Sequence, residues 1–330
     1  MRFIVISILF QLILMSACTA QNTKVVAVKS DSPVTISRFD KDIYELVDKD
    51  DSLLFLQIDK NNPEMFEIFG KGVLNMQSTS MPGFQERLVN YFSEPTLLSL
   101  YKDALKKYAD ITGIEKSLGD GFAFVQANFP EIKIPVVYMH VSGLNQNILA
   151  GENVLSLSID KYMGKDYPLY ETFFYEYDRS LMTDKLIVPD YVAGLLLSEY
   201  SFEGNESVLL DRMIYEGKVK YLLEKALPEV NISELLGYEP KDMEWCEQNE
   251  QMLWRTIIGN KQLYTPDVTT TARYFQSMPS QFLADGAPGK IGIWLGWKIV
   301  TRYMNETNAT ARELMQTKAQ DILTLSKYKP

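Results

Sequence analysis

The chain has 330 residues, of which 46 % are hydrophobic, with a formal net charge of −10, two cysteines and one histidine. This content is ample for a large core, and the acidic balance disfavours nucleic acid as a partner. One histidine excludes a multi-histidine zinc site and leaves His140 as the only imidazole that a Ser-His-Asp triad could use.

The first element is an export signal. Arg2 supplies a basic start, Phe3 to Leu14 is apolar apart from Ser7 and Gln11, and Met15-Ser16-Ala17 leads into Cys18. The apolar run has the length of a signal h-region and falls short of the roughly 20 residues that a spanning helix needs. Small residues before a cysteine read as a lipobox, with Met15 where Leu is usual, so cleavage after Ala17 and acylation of Cys18 are expected. Residues 1–17 are then a lipoprotein signal peptide, and losing Arg2 moves the formal charge to −11. One acyl chain binds marginally, whereas several hold a protein stably, at about 0.8 kcal/mol per buried CH₂. No later run is long and apolar enough to span. Residues 18–33 are polar and aperiodic, and read as a lipid-anchored tether with a reach of about 50 Å. Residues 34–330 read as one globular domain, because no Pro/Gly/Ser-rich linker interrupts them.

Residues 36–110 read as mostly helical. Phe39-Asp40-Lys41-Asp42 opens the domain and leads into Ile43, Leu46 and Leu54. Glu94-Pro95 is a start signal for a helix whose Leu97, Leu100, Tyr101, Leu105 and Tyr108 share a face, and a further helix is expected from Ile114 to Phe129. Ile134 to Val141 is β-branched and aromatic, Gly143 to Gly151 turns the chain, and Val154 to Asp160 alternates with period two, which predicts a small sheet. His140, near the end of the first strand, reads as structural, because no Ser or Cys nucleophile signature accompanies it. Helices return after Pro189: Tyr191 to Tyr200 is apolar on most faces, Glu206 to Leu227 reads as long and amphipathic, and Met243 to Ile258 carries Trp245 and Trp254. With Cys18 acylated, Cys246 has no intramolecular partner and reads as a small buried apolar residue. Pro288-Gly289 turns into a helix from Ile291 to Met304, and Thr310 with Glu313 makes a capping box for a last helix towards Leu325.

Two stretches stand out. One is Met213 to Leu222, which contains Tyr215-Glu216-Gly217-Lys218. The other is Pro288 to Met304, where Gly292 and Gly296 lie one helical turn apart and admit a close backbone neighbour, each costing about 1 kcal/mol relative to Ala. Core packing explains these glycines; the sharper alternative is a pocket walled by Gly289, Trp294 and Trp297.

Phe39-Asp40-Lys41-Asp42, Ile159-Asp160-Lys161-Tyr162-Met163-Gly164, Tyr215-Glu216-Gly217-Lys218, Trp245-Cys246-Glu247 with Asn249-Glu250, and the Pro288 to Met304 block together resemble the gliding-motility lipoprotein GldB family. The resemblance spans nearly the whole mature chain. It implies a cell-envelope lipoprotein of the gliding machinery, although relatives also occur where gliding does not. The absence of an acidic run after Cys18 favours, by the same resemblance, an anchor that faces the periplasm. The family is in turn similar to zinc peptidases with an HExxH helix, in which histidines at i and i+4 bind zinc beside a glutamate that activates water. Placing Glu216 on the motif glutamate puts Tyr215 and Val219 at the histidine positions, so no metal and no cofactor are implied.

The expected fold is α+β, a mainly helical, zincin-like single domain with a small β-sheet around residues 132–160. Tyr215, Glu216, Lys218, Gly289, Trp294 and Trp297 are the candidate residues of a relic cleft, with no catalytic residue assigned. The reading favours a non-enzymatic, lipid-anchored partner or assembly factor of gliding or secretion machinery, with the membrane and envelope proteins as partners. The alternatives are a metal-free hydrolase, in which Glu216 works with Asp211 or Glu224, and a module that binds peptide or glycan in the relic cleft.

Overall fold

A four-stranded sheet, β1 (Ile36–Ser37), β2 (Val136–His140), β3 (Ile148–Ala150) and β4 (Val154–Ser158), lies inside a helical body in the order β1-β2-β4-β3. The computed structural model describes residues 25–30, 32–279 and 283–330; the signal peptide and Cys18 lie outside the described residues. β1 and β4 both run parallel to β2, and β3 pairs antiparallel with β4, so the sheet is mixed. Between β1 and β2 run α1 (Phe39–Lys49), α2 (Ser52–Asn61), α3 (Pro63–Phe69), α4 (Phe84–Phe92), α5 (Pro95–Lys107) and α6 (Thr112–Asn128). After β4 come α7 (Pro168–Phe173), α8 (Glu176–Arg179), α9 (Ile187–Glu199), α10 (Leu209–Ala226), α11 (Ile232–Leu236), α12 (Pro240–Gly259), α13 (Val268–Arg273), α14 (Ile291–Thr307), α15 (Ala311–Gln316) and α16 (Ala319–Ser326). The chain is α+β and mainly helical.

Every residue of β4 is buried. Period-two alternation ordinarily marks a strand with one wet face. Here the apolar set faces α9, where Gly194 comes close to Leu155, and the other set faces α1 and α3. On that second side, Phe39 packs edge-on to Phe66, Phe69 and Tyr138, and Phe69 packs edge-on to His140. Ser156 and Ser158 are therefore buried polar residues that need partners. Ser156 Oγ finds His140 Nδ1 at 2.7 Å, and Ser158 Oγ bonds Ser142 Oγ at 2.8 Å and the carboxylate of Asp160.

Several boundaries differ from the sequence reading. Ile36–Ser37 is a strand, because register with Val137 and Tyr138 holds it; two residues leave no periodicity to read. The turn expected from Gly143 to Gly151 contains β3. α7 and α8 have no sequence counterpart. The last helix is two, broken at Thr317-Lys318, although the Thr310–Glu313 capping box forms as expected. Glu94 caps α5, accepting from the backbone amides of Thr96 and Leu97 at 2.9 and 3.0 Å.

Part of the segment read as a tether is docked. Val26 and the Asn128 amide exchange two hydrogen bonds of 2.9 Å, Ser30 donates its amide to Asp120 at 2.7 Å, and Gly119 leaves room for the backbone of Ser32. Polar composition concealed this, because the contacts use backbone groups that composition does not report.

Candidate functional site

α10 and α14 cross at glycines. A methyl group on Gly296 would sit 1.7 Å from the carbonyl oxygen of Met213, and one on Gly217 would sit 2.3 Å from the carbonyl carbon of Gly296. The two backbones touch, so both glycines are required by packing. Gly292, which the sequence pairs with Gly296, instead faces Phe275 and the carbonyl of Tyr274.

The motif on α10 is held by this crossing. Tyr215 donates its hydroxyl to the carbonyl of Tyr200 at 2.8 Å and packs against Phe202. Lys218 is buried, and its ammonium donates to the carbonyls of Met315 and Thr317 at 3.0 and 2.7 Å, closing the end of α15. Burial pushes its pKa down to about 8. Glu216 is half-buried, and no ion pair forms between it and Lys220 one turn on. Lys220 lies near Asp190 and Lys290 instead. The pKa of Asp190 is raised by burial, against which a Tyr162 hydrogen bond of 2.6 Å and Lys220 both act.

The two carboxylates that a metal-free hydrolase would set beside Glu216 are engaged elsewhere. Asp211 accepts the amide of Asn205 at 2.9 Å, and Glu224 accepts the indole N–H of Trp297 at 3.2 Å. Among the described residues, no group of three or more His, Cys, Asp or Glu side chains is placed to hold a metal ion.

The candidate cleft residues do not share one cavity. Trp294 is wholly buried, its indole N–H without a hydrogen-bond partner and the Lys298 ammonium 5.5 Å from its ring. Trp297 lines a groove of about 350 Å³ against Tyr328 and the chain end. Gly289 lines a different cleft, where its carbonyl accepts the Tyr238 hydroxyl and its lack of a side chain lets the carbonyl of Ser277 approach. The physical reason for the separation is the α10–α14 contact, which closes the space that an open relic cleft would occupy.

The family motifs have structural work of their own. Asp40, fully buried, takes a bidentate ion pair from Arg38 at 2.9 and 2.6 Å. Asp160, also fully buried, accepts the amides of Ser142 and Leu144 at 3.1 and 2.6 Å and fixes the loop after β2. Trp245 donates to the carbonyl of Asp285 at 3.1 Å, and Cys246 is a buried free thiol whose pKa is pushed up to about 12 by burial. Burial also pushes His140 down to about 3, against which the Gln146 backbone acts.

The profile of the family described as Gliding motility protein GldB matches residues 20–330. The chain belongs to this family. No curated protein and no solved structure matches it. GldB membership suggests a cell-envelope location and envelope machinery as partners, and no helix among the described residues is long and apolar enough to cross a membrane. A polar double cleft beside α7, α8 and α11 was missed by sequence reasoning. Its walls come from short elements whose aromatic residues carry no period.

Proposed function

We propose that the chain is a lipid-anchored envelope lipoprotein, held at Cys18 and facing the periplasm, that serves gliding or secretion machinery as a non-enzymatic partner or assembly factor. The observation that carries this reading is the α10–α14 crossing. The motif helix that would bear chemistry in a peptidase is here packed backbone to backbone at Gly217 and Gly296, with Lys218 clamped by two carbonyls. That geometry suits a rigid scaffold, and the family name points to envelope machinery. Anchoring follows from the lipobox alone.

Cys18→Ala tests the reading. The variant protein is expected to leave the membrane fraction, keep the far-ultraviolet circular dichroism of the parent, and fail to restore the cellular role of a deletion strain. Co-purification of envelope proteins with the parent and not with the released variant completes the expected result. Full complementation by released protein, or partner-free monomeric behaviour in native envelopes, would overturn it.

A further inference from the structure

The corner between α1 and α2 turns an apolar face outward. α2 opens Ser52-Leu53-Leu54-Phe55-Leu56-Gln57-Ile58, which is apolar on more sides than its neighbours cover. Ile58 is buried, and Leu54 and Phe55 pack on the core, with the Phe55 ring 5.3 Å from Phe66 and 5.9 Å from Phe84. Leu53 and Leu56 lie three apart and so share the other face, where they are 76 % and 59 % exposed. Met81, also exposed, stands in the turn that leads into α4, and its carbonyl accepts the amide of Phe84 at 3.1 Å. A single exposed leucine is ordinary, whereas neighbouring ones on a short helix mark a surface for a partner.

The charges around this face are mostly of one sign. Glu45, Asp48, Asp50, Asp51 and Glu86 are all exposed at the corner. The cations there are Lys49 and Arg87, and both are engaged. Lys49 meets Glu45 at 2.5 Å, and its pKa is raised by Glu45 first and then by Asp51 and Asp48. Arg87 donates its Nε to the carbonyl of Leu74 at 2.7 Å. Gln85 holds α4 against the corner by donating to Asp50 at 2.8 Å, and a groove of about 290 Å³ beside it has Asp50 and Glu86 as its charged linings. Asp51 is spent as the cap of α2, accepting the amide of Leu53 at 2.7 Å. Asp48 and Glu86 make no hydrogen bond or close ion pair among the described residues.

The sign of the charge selects the occupant. A leaflet of anionic lipid would be repelled by this rim. A second copy would bring the same carboxylates, so an isologous pairing would set like charges together. A helix with leucines on one side and lysine or arginine beside them satisfies both the apolar face and the rim.

We propose that the α1–α2 corner docks a basic amphipathic helix of a partner protein, its apolar side on Leu53 and Leu56 and its cations on Asp48, Asp50 and Glu86. The proposal rests on the reading of this chain as a partner in envelope machinery and supplies the chemistry of that contact.

The probe is a labelled peptide of leucine and lysine, about four helical turns long, with its leucines on one face. It is titrated by fluorescence anisotropy into the full chain in phosphatidylcholine nanodiscs, with empty nanodiscs as the blank. One comparison peptide has glutamate for lysine, and another scrambles the same residues so that no apolar face forms. The basic amphipathic peptide is expected to bind about tenfold more tightly than either. Leu53→Ser with Leu56→Ser is expected to weaken it about tenfold, and Asp48→Asn with Glu86→Gln about threefold. Glu229→Gln with Glu247→Gln removes the same charge at exposed positions on other elements and is expected to leave the affinity unchanged. Hydrogen exchange is expected to slow at α2 amides when the peptide is added. Equal binding of either comparison peptide, unchanged affinity in the double leucine variant, or equal weakening in the distal pair would overturn the proposal. So would protection of α2 by phosphatidylglycerol nanodiscs without peptide, or a self-association of the parent that the leucine variant loses. The titration does not read Cys18 or complementation, so failure at this surface and failure of the anchored reading are separate results.

Discussion

Gly296→Ala is the most direct test of the α10–α14 crossing. The added methyl would lie 1.7 Å from the Met213 carbonyl oxygen and 2.5 Å from its carbon, where ordinary contact begins at 3.4 Å. Both obstructing atoms are backbone, so no rotamer change relieves them; the helices must part by roughly 1.5 Å. A gap of about 0.5–1 Å already forfeits a quarter to a half of a dispersion contact. Overpacking costs about 1–3 kcal/mol, and this site belongs at or above the upper end. Replacing a helical glycine returns about 1 kcal/mol. The net expectation is a loss of about 2–3 kcal/mol, read as a lower urea midpoint at unchanged slope and a melting temperature lower by about 5 °C. Gly259→Ala, in the last turn of α12 with nothing within 4 Å, is the control and is expected to be as stable as the parent or up to about 1 kcal/mol more so. Gly217→Ala combined with Gly296→Ala is expected to cost less than the sum, because one separation relieves both clashes. A Gly296→Ala protein as stable as the parent would refute the close crossing.

Three further outcomes follow from buried polar groups. His140, the only histidine, has its folded pKa near 3 against 6.5 unfolded, so below 6.5 the unfolded chain binds the extra proton. Stability is fully present above that value and falls on acidification by about 1.4 kcal/mol per pH unit between pH 6.5 and 5, before most carboxylates titrate; His140→Gln is expected to flatten that slope in urea titrations. Lys218→Met leaves the carbonyls of Met315 and Thr317 without their donor and is expected to destabilise by about 2–4 kcal/mol, measured by thermal unfolding. Asp160→Asn replaces a carboxylate that accepts two amides by a group with one acceptor oxygen, and is expected to cost about 2–3 kcal/mol, with faster amide exchange at Leu144 as the local signature.

Helix starts were legible in the sequence: α5 begins at Pro95, where Glu94-Pro95 was read as a start, and Thr310 caps α15 as read, because both signals act between near neighbours. The sheet region was legible through β-branching, yet its burial was not, since Ser156 and Ser158 copy the pattern of a wet face. α10 misled for the opposite reason. Lys218 and Gly217 are inside, so its buried surface does not follow a simple stripe, and an amphipathic helix was read where neighbours pack on several sides. Of the candidate residues, Gly289 does border a cleft, while Trp294 is core and Trp297 lies on another groove. The pairing of Gly217 with Gly296 joins positions distant in sequence, and no local pattern encodes it. The aromatic run through Phe173, Tyr175 and Tyr177 was passed over because exposed tyrosines announce themselves only once the surface is known.

The segment docked along α6 changes the mechanics of any attachment at Cys18. A free arm up to Pro33 would let the body sweep a hemisphere about 50 Å in radius. With Val26 pinned to Asn128, the distance from Cys18 to the docked segment is at most about 25 Å. An anchor at Cys18 would hold the body within that distance of the bilayer, about half the range of a free arm.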